Sequence, residues 1–124
     1  MTTVTLTFHP APEHVRTARL VAVAVARRAG LDEARLDEVR LAVGEVCARA
    51  VRRCLGTAAL GAVEVGIDDV GPVFWITITD PASMVDGDDE AVSLALVRGL
   101  ADSVTVDDGP GGGTGGAVCL RWAR

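Results

Sequence analysis

Glu45 and Arg49 stand four residues apart in LAVGEVCARAVRR (41–53), a stretch with no helix breaker but one glycine. A carboxylate so placed can take the proton of an attacking hydroxyl, and a guanidinium can contact a phosphate. The same spacing is also that of an i,i+4 ion pair on a solvated helix, worth about 0.2–0.5 kcal/mol. Asp80 closes the apolar run VFWITIT, where a carboxylate faces a loop; followed by Pro81, it can equally begin a turn. GPGGGTGG (109–116), with Thr114 inside it, can wrap a ligand or form a hairpin tip. None of these establishes a function alone.

The elements that must position them follow from pattern. VTLTF (4–8) alternates as a strand does. A first helix should begin near Pro12 and stop at Gly30. Asp32 can cap a second helix ending at Gly56, with Leu36, Val39, Val43, Val46, Cys47, Ala50 and Cys54 on its core-facing stripe. Glu45 and Arg49 should then lie on the opposite face, beside Leu41, Ala48 and Arg52. Segments 59–68 and 72–80 read as a hairpin whose second strand, nearly continuous in apolar residues, suits a central two-sided position. EAVSLALVRGLADS reads as a third helix, and SVTVDDG and GAVCLRWA as closing strands. The order β-α-α-β-β-α-β-β implies an α+β two-layer sandwich, helices on one face of a mixed sheet. Residues 1–124 should form one domain.

Composition removes other classes. All 12 basic residues are arginine, so neither a catalytic lysine nor a Walker A loop is available. Net charge −5 and a pI near 4.9 leave no footprint for nucleic acid or an anionic membrane. No apolar run suits a membrane span and the first residues do not suit a secretory signal, so the expected address is the cytoplasm. Cys47, Cys54 and Cys119 form no CxxC and read as buried thiols, and no metal site is expected from them with His9 and His14.

The whole pattern, from VTLTFHPAPEHVRTARLVAVA through LDEVRLAVGEVCARAVRR, VFWITITDPAS and AVSLALVRGLADSV to GPGGGTGGAVCLRW, resembles the histidine-kinase-like ATPase fold and, within it, the anti-sigma-factor serine kinases of bacteria. In that family an E-x-x-x-N box supplies a general base and an Mg²⁺ ligand; the corresponding residues are Glu45 and Arg49. A guanidinium has no lone pair and repels a divalent ion, so Mg²⁺ is not expected. The family's D-x-G-x-G reads adenine, and here it is Asp80-Pro81-Ala82-Ser83-Met84, with the acid kept and both glycines lost. Its G-x-G-L, which cradles phosphates, is Ala91-Val92-Ser93-Leu94, next to Asp86, Asp88, Asp89 and Glu90. A Thr that assists adenine recognition is kept as Thr114.

The resemblance thus implies a nucleotide site, for ATP or ADP, built from Glu45, Arg49, Asp80 and Thr114, in which the phosphate and metal groups are degenerate. It also implies a partner, a sigma factor or an anti-sigma-factor antagonist, contacted through the first helix, where Arg19 matches a partner-contacting arginine. By itself Arg19 equally reads as a solvated side chain. LVAVAVA (20–26) is more apolar than one buried stripe requires, and a homodimer or a partner could cover the excess. Two functions are expected to compete: a binding regulator with an impaired site, and an active serine kinase that uses Glu45 as base and phosphorylates an antagonist.

Overall fold

The computed structural model describes residues 2–57, 60–82, 88–107 and 116–124. The elements are β1 (Thr2–Phe8), a 3-10 turn (Pro12–His14), α1 (Val15–Arg28), α2 (Glu33–Thr57), β2 (Val63–Val70), β3 (Val73–Asp80), α3 (Asp88–Arg98), β4 (Ser103–Asp107) and β5 (Gly116–Ala123). Pro12 opens the first helical turn, and Gly30, at φ 92°, takes the left-handed conformation that stops the chain after α1. Asp32 accepts the backbone N–H of Arg35 at 2.9 Å, so the expected cap of α2 forms. Among the described residues no helix is long and apolar enough to cross a membrane.

The sheet order is β1-β2-β3-β5-β4, and each neighbouring pair is antiparallel. A mixed sheet was expected, and the hydrogen-bonded pairing corrects that detail. Two consecutive helices return the chain to the end where β1 finished, so β2 enters antiparallel to β1. The single helix α3 does connect two strands of the same direction, β3 and β4. But β5 inserts between them, and no parallel pair forms.

Alternation then decides the core. Val63, Val65 and Ile67 of β2, Phe74, Ile76 and Ile78 of β3 and Val118, Leu120 and Trp122 of β5 are all buried, as are all seven residues of the expected α2 stripe. The reading of β3 as a two-sided strand is corrected: its burial alternates, and Trp75 is exposed on the far face. That ring is covered instead by the Arg121 guanidinium, 4.6 Å from its centroid, a cation–π contact between register partners. Cys47 and Cys54 are buried and Cys119 half-buried, all as free thiols. Burial pushes the Cys47 thiol up to about 12.

Candidate functional site

α2 lies between α1 and α3 with its stripe on the sheet, so its flanks are covered as well as its core face. This overturns the expected placement of Arg49 on a solvated face, for it is 3% exposed. Glu45, one turn earlier, is half-buried, and its hydrogen-bond partner is not Arg49. The Ser93 hydroxyl on α3 donates to Glu45 Oε1 and accepts from Arg52 Nη2 at 2.9 Å. One hydroxyl, buried at the third residue of Ala91-Val92-Ser93-Leu94, thereby ties α3 to two points of α2 that are about two turns apart.

Further round the same side of α2, Asp80 ends β3 buried rather than facing solvent. Its Oδ2 lies 3.2 Å from Arg53 Nε, with the two side chains 3% and 1% exposed. Oδ1 accepts the Ala82 N–H at 2.9 Å, and Arg53 Nη2 reaches the Ala82 carbonyl at 3.4 Å. Arg53 thus stitches α2 to both ends of the Asp80-Pro81-Ala82 turn. Burial is the chief cause that raises the Cys54 thiol, with the Asp80 charge acting in the same direction.

Sequence reasoning missed Arg53, although a signal was present. It follows Val46 by seven residues, about 20° short of two full turns, so a cation sits at the edge of the core stripe. A cation there requires a buried counter-ion, and a carboxylate ending an apolar strand is the residue that supplies one.

A histidine kinase-like ATPase domain model matches residues 8–122. The chain belongs to that family. No curated protein matches its sequence. Among solved structures, the RsbU and RsbW domains of Rv1364c from Mycobacterium tuberculosis superpose with a TM-score of 0.77 at 15% identity, covering 100% of this chain. The ATPase domain described here spans 33% of that longer chain.

Within this ATPase domain the remaining expected residues fall in different places. Thr114 and the glycine loop lie outside the described residues. Arg19 is half-buried on α1, and its stem crosses α2 where Gly44 has no side chain. A Cβ on Gly44 would stand 2.8 Å from Arg19 Cδ, so the close approach of the two elements depends on that glycine. Arg19, Glu45 and Arg52 line a furrow of about 850 Å³ between α1 and α2, whereas Arg49 and Asp80 are not in its walls. The structure therefore joins Arg19 to Glu45 and separates both from Asp80. Of LVAVAVA, Ala22, Val23 and Ala26 are buried, while Leu20 is 60% exposed. Among the described residues no three His, Cys, Asp or Glu side chains group as a metal site would require.

Proposed function

We propose that this ATPase domain is a regulator of the anti-sigma type that acts by holding a sigma factor or an antagonist protein, with its nucleotide site impaired. The buried Arg53–Asp80 pair carries the reading. The carboxylate that would accept an adenine amino group already accepts a guanidinium and a backbone N–H. Releasing it would strand a buried charge. At the E-x-x-x-N position Arg49 offers a cation where a divalent ion needs a lone pair. As arranged, these residues fit neither adenine nor Mg²⁺, and we derive no phosphoryl step through them. The RsbW domain named in the matched structure supports the kinship with anti-sigma regulators; Arg19 is the proposed partner contact.

The alternative is an active serine kinase with Glu45 as general base, favoured by the survival of that carboxylate at the rim of an open furrow. Mixing the purified domain with candidate antagonist proteins from its own cells, under radiolabelled Mg·ATP, separates the two. The proposal expects a stable complex, seen by size-exclusion chromatography, without label on the partner. Label that disappears in Glu45→Gln would establish the kinase instead.

A further inference from the structure

The furrow between α1 and α2 differs in charge from the chain that contains it. Arg16, Arg19, Arg40 and Arg52 line its larger part, and Arg27 joins the first three along an adjoining stretch of about 370 Å³. Among the described residues lining the furrow, only Glu13 and Glu45 oppose these five cations, and Glu45 already accepts from Ser93. The whole chain meanwhile carries a net charge of −5. Arg40 is paired with Asp37 and Arg52 with Ser93, but among the described residues Arg16, Arg19 and Arg27 make no ion pair and no side-chain hydrogen bond. Leu20, Leu41 and Leu55, each about three-fifths exposed, border the same furrow.

We propose that this furrow seats an acidic amphipathic helix of a partner protein, a statement that rests on the holding function proposed above and specifies the partner's chemistry. Leucines beside arginines call for leucine-like anchors beside carboxylates, the pattern of a helix laid in a groove. Arg40 to Leu55 spans about 22 Å at the α-helical rise, the length of roughly four turns of a guest helix. Arg16 and Arg27 on one wall, with Arg40 on the other, would bracket a row of carboxylates spaced one turn apart. A compact polyanion is disfavoured, because Glu13 and three exposed leucines share the walls. Gly44 is part of the design: it lets the Arg19 stem lie across α2 inside the furrow.

The test uses the full chain and a fluorescent 18-residue peptide with Glu along one flank and Leu along the neighbouring one. Its comparisons are the same peptide with Lys for Glu, a scrambled isomer of equal charge, and inorganic tripolyphosphate. Fluorescence anisotropy should show binding of the acidic amphipathic peptide alone. Arg16→Glu combined with Arg27→Glu, both exposed and therefore tolerated by the fold, should weaken it about tenfold. Arg28→Glu, half that charge change and on α1 outside the furrow, should change it less than about twofold. Equal binding of the scrambled or Lys peptide, no peptide binding beside tripolyphosphate binding, or an equal effect of Arg28→Glu would each overturn the proposal. A natural partner complex indifferent to Arg16→Glu/Arg27→Glu would remove the furrow but leave the holding function. Phosphate transfer to a partner whose binding those variants weaken would do the reverse.

Discussion

Arg53 and Asp80, 27 residues apart in sequence, meet as an ion pair at 3.2 Å with both side chains excluded from solvent. Two buried charges are costly to desolvate and costlier to separate. Arg53→Ala should therefore destabilise the domain by about 3–5 kcal/mol by leaving Asp80 buried and unpaired. The double variant Arg53→Met/Asp80→Asn should recover much of that loss. Urea denaturation of Arg53→Met, Asp80→Asn and the double variant measures the coupling; additive losses would contradict the pairing.

Gly44 sits mid-helix, where alanine is ordinarily favoured by about 1 kcal/mol. Here the added methyl would meet Arg19 Cδ at 2.8 Å and displace it. Gly44→Ala should gain its full helix increment only in an Arg19→Ala background, and in the native background it should gain less. A four-variant thermal denaturation cycle reads the difference, and equal gains in both backgrounds would show that the contact is unimportant.

The Ser93 hydroxyl satisfies Glu45 and Arg52 together. Ser93→Ala should cost about 1–2 kcal/mol and loosen α3 first, because it removes a tie between α3 and α2 that no other side-chain hydrogen bond among the described residues replaces. Amide hydrogen exchange should rise in α3 while β2 and β3 stay protected. Uniform protection loss across the sheet would refute this local account.

The hydrogen bond from Arg35 Nη1 to Asp102 Oδ1, at 2.7 Å, holds the Asp102 carboxyl below its ordinary 3.8, helped by the Ala123 N–H; partial burial opposes them. The depressed folded value means that Asp102 stabilises the fold above the ordinary carboxylate range and loses that contribution as pH falls through the folded value. Asp102→Asn should be less stable than the native chain near pH 7, and the gap should close as pH falls through the ordinary 3.8 and then through the lower folded value. A melting-temperature series over this range checks the sign; a gap that widens toward acid would reverse it.

Much of the fold was legible because burial follows period. The α2 stripe from Leu36 to Cys54, its Asp32 cap and the β2–β3 hairpin came from local pattern, and each forms as expected. What failed was decided by tertiary neighbours. Arg49 lies on the flank that the end of β3 and α3 cover, which a one-helix wheel cannot show. Trp75 looked like core because β3 is apolar on both faces, yet its cover is a single guanidinium from β5. Insertion of β5 between β3 and β4 left no local trace either, and it removed the expected parallel pairing. At the candidate site the sequence singled out Asp80 and Glu45, but neither Arg53 nor Ser93, because their partners are supplied from distant segments.

The central claim is that internal partners occupy the groups a nucleotide would need. Calorimetric titration of ATP and ADP into the native domain, with and without Mg²⁺, tests it most directly, with Asp80→Asn as the companion. The account predicts no binding heat from either nucleotide in either condition. Saturable binding that Mg²⁺ strengthens and Asp80→Asn abolishes would contradict it, for Asp80 would then be reading adenine in spite of Arg53.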